Sequence, residues 1–216
     1  SNNSNNNRRF YTIGTTDVIL SPLDGSSSAK TWFAFQTGNW DNPTTWTQDG
    51  SAVPTYINPN NEIPAPGDNV EIGSGRTVTV PTALPALNQN AVRIDGTLNM
   101  GTSSKPTFAS LDGSGIIRCA ADNFPNGNMS NFADPLTGGL VEFYGTSYEI
   151  TNNVLANKVQ INLTNTAQNI TLAADLTHNG LMEVKRGRLT INNTANSSRT
   201  INSNADVLVE SQGAIY

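Results

Sequence analysis

Charged residues are scarce in this chain of 216 amino acids. They make up 13% of the sequence, whereas soluble domains usually contain about a quarter. The net charge of −5 gives no basic surface for a polyanion, so nucleic acid and anionic membrane surfaces are not expected partners. Because no apolar run approaches the roughly 20 residues of a membrane-spanning helix, we also expect no membrane span.

Reactive side chains are equally few. Cys119 is the single cysteine, which rules out a disulfide framework within the chain. His178 is the single histidine and lies in a turn-like His-Asn-Gly sequence. A nucleophile–histidine site would need this residue, and a structural zinc site would lack ligands. The sequence therefore disfavours serine or cysteine hydrolases and zinc proteins.

Uncharged polar residues take the place of the missing charges. The sequence contains 30 Asn, 25 Thr and 18 Ser, and blocks of helix-favouring Ala, Glu, Lys and Leu are absent. Since Asn, Thr and Gly are poor helix formers, the composition predicts an all-β protein. With 36% hydrophobic residues, wholesale disorder is excluded.

The composition is also typical of secreted bacterial proteins, which indicates a secreted or cell-surface location. The chain opens with the polar stretch Ser1–Asn7, which contains neither an initiator Met nor an apolar segment. We expect either that an export signal has been removed or that the chain begins inside a longer protein. Residues 214–216 have a strand-like sequence, which leads us to expect that the β structure continues beyond them.

A repeat runs through residues 70–216. Its template is apolar-x-apolar, a short spacer and Gly-x-apolar, and it is clearest at Val70–Leu98 and Met182–Leu189. The copies begin at Val70, Val92, Ala109, Val141, Val159, Met182 and Val207. Their intervals average about 23 residues, the length of one solenoid coil.

The template favours a solenoid on physical grounds. Alternation turns one face of each short strand inward, and the glycine permits a corner with positive φ. We therefore predict a right-handed parallel β-helix of about seven coils. A β-sandwich or jelly roll is the alternative.

Residues 121–139 interrupt the repeat with a sequence rich in Asn, Gly and Pro. Insertions in solenoids project as loops on one face, which is often the binding face. The candidate ligand-binding residues in this loop are Phe124, Asn126, Asn128, Phe132 and Asp134. The alternative is a loop that only covers the sheet, with its aromatic rings packed down.

Residues 1–69 do not follow the repeat and form a separate N-terminal segment. They contain all three tryptophans, Trp32, Trp40 and Trp46. A solenoid needs an atypical terminal unit over the open end of its core, and large aromatic rings cover such an end efficiently. We expect the three tryptophans to form this cap. An aromatic sugar-binding platform is the alternative.

Residues 37–100 resemble a known family. The residues that carry the resemblance are Gly38, Trp40, Trp46, Pro66–Ile72, Thr77–Val80 and Ile94–Leu98. They are similar to the start of the G8 domain, which precedes β-helix regions in extracellular proteins, including many large surface proteins of Bacteroidota. It implies export, commonly by the type IX secretion system, and contact with secretion or gliding-motility machinery. Such proteins include both adhesins and polysaccharide-degrading enzymes, so the resemblance leaves the function open.

The acidic residues of the chain could form two kinds of site. Outward residues of the template, namely Glu71, Arg93, Glu142, Gln160 and Glu183, are predicted to stack as a charged stripe on one face. Paired acids on such a face could serve a glycosidase or lyase, but alternating polar residues occur on any solvated sheet, and we name no catalytic residue. Near the insertion, Asp112, Asp122 and Asp134 are the candidate ligands for calcium.

The sequence thus leads us to expect a non-catalytic structural or adhesive module of a large exported cell-surface protein. A cell-surface or environmental polysaccharide is the expected ligand. Two alternatives stay open: the β-helix domain of a secreted carbohydrate-active enzyme, and a cargo segment held by a secretion translocon.

Overall fold

The computed structural model describes residues 11–13, 16–18, 29–191 and 199–216. It is a β-solenoid of about six turns, against the seven coils expected from the repeat. The polar stretch at residues 1–7 lies outside the described residues. No helix in the described part of the chain is long and apolar enough to cross a membrane.

The early elements are β1 (Tyr11–Ile13), β2 (Thr16–Val18), β3 (Thr31–Ala34), β4 (Gly38–Asn39), a short 3-10 helix (Pro43–Thr45), β5 (Trp46–Thr47), β6 (Asn69–Ile72), β7 (Thr77–Thr79), β8 (Asn88–Ile94), β9 (Thr97–Gly101), β10 (Thr107–Asp112) and β11 (Ile116–Cys119). The later elements are β12 (Asn126–Asn128), β13 (Leu140–Gly145), β14 (Tyr148–Ile150), β15 (Val154–Ala156), β16 (Lys158–Leu163), β17 (Asn169–Leu172), β18 (Leu176–His178), β19 (Met182–Ile191), β20 (Ile201–Ser203) and β21 (Val207–Ile215).

Three sheets form the sides of the solenoid. The first sheet has the strand order β12-β10-β8-β6-β3-β5. The second has the order β14-β17-β19-β16-β13-β11-β9-β7-β4, with β21 also paired to β19. The third has the order β15-β18-β20. All their pairings are parallel except that of β3 with β5, which confirms the parallel β-helix and excludes the sandwich. Among the described strands, β1 and β2 pair with each other and with no other strand.

Alternation along each strand decides which side chains lie inside. In β13 and β16, Val141 stands beside Val159 and Phe143 beside Ile161, and all four are at most 1% exposed. The residues between them in each strand face outward. Each coil therefore buries its apolar side chains against the same positions of its neighbours, which is how a solenoid builds a continuous core.

The copies of the repeat do not all lie on one sheet. Val70 and Val92 are neighbours on the first sheet, whereas Val141 and Val159 are neighbours on the second. The copies that begin at Val70 and at Val207 therefore do not belong to one stack. The interval between Ala109 and Val141 contains β11, β12 and the insertion, so the next recognisable copy falls on a different side. Alternation is the same on every sheet and does not reveal which one a strand joins.

The three tryptophans are buried at the N-terminal edges of the sheets. Trp32 lies in β3 and Trp46 in β5, while Trp40 directly follows β4, and none is more than 1% exposed. The rings of Trp40 and Trp46 meet edge to face, with their centroids 4.9 Å apart. Trp32 Nε1 donates a hydrogen bond to Asp68 Oδ2 at 2.9 Å. Because the rings are buried, they do not form an exposed sugar platform.

Asparagine side chains link successive coils. Asn90 Nδ2 donates to Asn69 Oδ1 at 2.9 Å, and Asn204 Nδ2 donates to Asn179 Oδ1 at 2.8 Å. Stacked amides of this kind satisfy each other along the axis. They explain part of the high Asn content.

Replacing Trp46 with alanine should lower the free energy of unfolding by roughly 3–5 kcal/mol, because it removes a fully buried ring from the core. Denaturant unfolding followed by circular dichroism measures this change. The control Val53→Ala alters a residue that is 85% exposed and should change stability by less than about 0.5 kcal/mol. If the two substitutions lower the free energy of unfolding equally, the buried ring of Trp46 does not contribute to stability as expected.

Candidate functional site

The insertion, residues 121–139, lies on the side of the solenoid where the first sheet ends and the third sheet begins. Strand β12 is the last strand of the first sheet, and β15 is the first strand of the third. A cleft of about 580 Å³ lies between these two edges and is lined by residues 124–130, residues 151–153 and Leu155. Meanwhile the second sheet continues without interruption from β13 to β16. The cleft is therefore a local break in the wall of an otherwise continuous stack.

Amides and hydroxyls dominate the exposed lining of the cleft. Asn126 and Asn128 are exposed on one side, and Asn152 and Asn153 on the other. The Asn126 side chain makes no hydrogen bond within the described residues. None of the residues that line the cleft carries a charge. Asn128 Oδ1 and Asn153 Oδ1 each accept one backbone N–H, and Asn152 Nδ2 donates to Thr151 Oγ1 at 3.1 Å. The other amide donors and acceptors can pair with a ligand that presents many hydroxyl groups.

The backbone of β15 adds further polar groups. Val154 N–H donates to Asp175 O at 3.0 Å, and Asn179 N–H donates to Ala156 O at 3.2 Å. Alternate residues of a strand direct their backbone groups to opposite sides. The N–H and C=O of Leu155 therefore point away from β18, towards the cleft that Leu155 lines.

The structure places the predicted ligand-binding residues in different settings. Asn126 and Asn128 line the cleft as exposed side chains. Phe124 lines the cleft but is only 4% exposed, and Phe132 is fully buried and does not line it. Both rings therefore pack against the core, as expected for a loop that covers the sheet. Asp134 Oδ1 accepts hydrogen bonds from the backbone N–H groups of Thr137 and Leu136. The Thr137 bond is the main reason that the pKa of Asp134 lies below its ordinary value.

Sequence reasoning missed the opposite wall of the cleft. Thr151, Asn152 and Asn153 lie between β14 and β15, one coil beyond the insertion. No local motif marks them, because only the stacking of coils brings them opposite Asn126. Only the knowledge that β13 and β16 pair in register would have shown that the segments preceding them, which form the two walls, lie opposite each other.

The insertion is fixed by side chains from the following coils. Asn157 Nδ2 donates to Gly138 O at 3.0 Å, and Asn179 Nδ2 donates to Ala133 O at 2.6 Å. Within the loop, Gly139 N–H donates to Phe132 O at 2.9 Å. These bonds hold residues 132–139, whereas the part of the insertion that lines the cleft is held by the pairing of β12 with β10.

The candidate calcium ligands do not share a site. Asp112 accepts from Arg93 Nη1 at 3.4 Å, whereas Asp122 accepts from Lys105 Nζ at 3.0 Å, and Asp134 is committed to its own loop. Among the residues that the structure describes, no group of three or more His, Cys, Asp or Glu is arranged to hold a metal ion.

The predicted charged stripe divides into two groups on different sheets. Glu71 stands beside Arg93 on the first sheet. On the second sheet, Glu142 stands beside Gln160 and Gln160 beside Glu183. A single stripe through all five residues is therefore wrong, for the same reason that the repeat copies change sheets.

The second-sheet glutamates are engaged by neighbouring coils. Glu142 accepts from Arg118 Nε at 2.5 Å and from Asn162 Nδ2 at 3.2 Å. Glu183 Oε2 accepts from Gln160 Nε2 at 2.7 Å. Such bonds connect adjacent strands across the sheet surface and stabilise the stack.

No protein-family model, curated protein or solved structure matches this chain. The resemblance of residues 37–100 to the G8 domain accordingly stays a hypothesis. What the site offers chemically must be judged from its own residues.

Replacing Gly127 with alanine should destabilise the wall of the cleft. Gly127 has φ near 131°, and a Cβ atom there would lie 1.7 Å from Phe108 O. The substitution forces β12 away from β10, and we expect a loss of about 1–3 kcal/mol in unfolding free energy. The control Gly73→Ala has open space around its Cβ position. If both variants unfold at the same denaturant concentration, the close approach at Gly127 is contradicted.

Cys119 should resist alkylation in the folded protein. Its side chain is fully buried, and burial raises the pKa of its thiol far above the ordinary value, so the reactive thiolate is scarce. Iodoacetamide labelling followed by mass spectrometry should show modification only after denaturant is added. Rapid labelling of the native chain, at the rate seen for unfolded protein, would disprove burial.

Proposed function

We propose that this chain is a non-catalytic, stiff adhesive module of an exported cell-surface protein, and that its cleft binds polysaccharide. The observation that carries the proposal is the fixed cleft at the break between the first and third sheets, lined by exposed amides and hydroxyls. A sugar polymer presents a dense array of hydroxyl groups, which these side chains can match as donors and acceptors.

The solenoid supports the structural part of the proposal. About six turns separated by roughly 4.8 Å give an axial length of roughly 30 Å. The parallel ladder of the second sheet, from β4 to β21, and an apolar core run through this length. A module of this kind holds a binding loop at a fixed position relative to the rest of the solenoid.

The fixed insertion supports the binding part. Binding costs free energy for every loop and side chain that must be ordered on contact. Strand β12 already pairs with β10, and Asn157 and Asn179 hold the rest of the loop, so that cost is reduced. Weak hydrogen bonds to individual sugar units can therefore contribute to affinity.

The second candidate is a carbohydrate-active enzyme, and one observation favours it. Arg118 lies 4.4 Å above the ring of Tyr144 and beside Glu142 on the outer face of the second sheet, an arrangement of charged and phenolic groups found in catalytic sites. Against it, both oxygens of Glu142 already accept hydrogen bonds from Arg118 and Asn162. A general acid or base needs a group free to exchange a proton with the substrate.

Affinity electrophoresis on a panel of soluble plant, algal and bacterial polysaccharides tests the proposal. The chain should be retarded by at least one polysaccharide, and the double variant Asn126→Ala with Asn152→Ala should weaken binding at least tenfold. The control Asn88→Ala removes an exposed amide outside the cleft and should bind normally. Retardation that survives the double variant would contradict the assigned site.

Two further measurements separate adhesion from catalysis and test location. The chain should release no reducing sugar from the polysaccharide that it binds. Release of reducing sugar that is abolished by Glu142→Gln would contradict the adhesive module and support the carbohydrate-active enzyme. Antibody labelling of intact cells of the source organism should detect the chain at the surface, and labelling only after lysis would contradict export.

A further inference from the structure

We infer that the ligand is a neutral polymer lying extended along the solenoid axis, and that a second depression on the first sheet binds its continuation. This ligand class rests on the proposed function of the cleft. What it adds is the charge of the polymer, its direction and a further subsite.

The second depression crosses four neighbouring strands. It has a volume of about 420 Å³, and its floor includes Thr31 on β3, Asn69 on β6, Ala91 on β8 and Ser110 on β10. These strands are successive members of the first sheet. The depression therefore runs along the solenoid axis rather than along a strand.

The depression and the cleft share a rim. Asn131 of the insertion lines the depression, while its neighbours Met129 and Ser130 line the cleft. Strand β12, which forms one edge of the cleft, pairs directly with β10 of the depression. From β3 to β12 there are four strand spacings, or about 19 Å. A single extended chain can cross both recesses by passing the insertion.

The charges along this path favour a neutral polymer. The cleft lining carries no charged side chain. In the depression, Arg93 already pairs with Asp112 at 3.4 Å and with Asp95 at 2.7 Å, and it stands beside Glu71. An anionic polymer would have to lie against these carboxylates, and the cation among the lining residues, Arg93, is already paired. A cationic polymer would meet Glu71 and Asp112 in the depression but no carboxylate in the cleft, so its charge would be matched along only part of the path.

The lining also favours sugar units over an extended peptide. Peptides that dock on strand edges gain specificity from pockets for alternate side chains. Here the aromatic rings of the insertion are buried, with Phe124 only 4% exposed. The available contacts are amide, hydroxyl and backbone groups spread along the path, which suit repeated hydroxyl-bearing units.

Calorimetric titration with oligosaccharides of the polysaccharide that binds best tests the extended path. Affinity should rise at least tenfold between the disaccharide and the octasaccharide. The variant Ala91→Trp fills the depression and should abolish that gain while leaving disaccharide affinity unchanged. The control Ala167→Trp places the same ring on an exposed residue that lines neither recess, and it should retain the full gain.

The outcomes separate the two levels of the proposal. If the disaccharide and octasaccharide bind equally well and Asn126→Ala weakens both, the extended path is overturned and the adhesive function stands. If only polyuronates such as alginate or pectate bind, the neutral class is overturned. If no polysaccharide binds, or only extended peptides do, both the inference and the proposed function fail.

Discussion

Parallel pairing between the same positions of successive coils is the constraint on which the rest of the structure depends. It stacks Val141 on Val159 and Phe143 on Ile161 and so builds the core from contacts between adjacent coils. It also dictates the corners, where coils approach closely. At Gly113, with φ near 109°, a Cβ atom would lie 2.1 Å from Ile94 O, so the corner accepts only glycine without rearrangement.

The cleft exists because parallel pairing between successive coils is continuous in the second sheet but is interrupted between the first and third sheets. The second sheet passes from β11 through β13 to β16 in unbroken register. Its continuity fixes the coil spacing, which frees the first sheet to end at β12 and the third to begin at β15. The core beneath is preserved, because Phe124 and Phe132 fill it at the break. Stability and a binding recess are thus supplied by different sides of one stack.

The sequence predicted the parallel β-helix because inward apolar residues and corner glycines recur at coil length. It did not predict the sheet that each strand joins, since Val92 and Val141 stand in the same alternating pattern on different sheets. Strand β12, whose sequence is Asn-Gly-Asn, has no apolar residue to mark it. Half of the cleft wall could be predicted from the composition of the insertion. The half at Asn152 and Asn153 depends on stacking alone.

The anchoring of the insertion also makes its tip exchangeable. Asn157 and Asn179 hold the loop at Gly138 and Ala133, and Phe132 roots it in the core. Leu136, by contrast, is 91% exposed, between the two anchors. Surface loop tips accept altered or inserted sequence without loss of the fold. Positions 135 and 136 are accordingly a site where a foreign epitope or recognition peptide can be displayed from a rigid frame, with Thr137 retained because its hydroxyl donates to Asp134 Oδ1 at 2.9 Å.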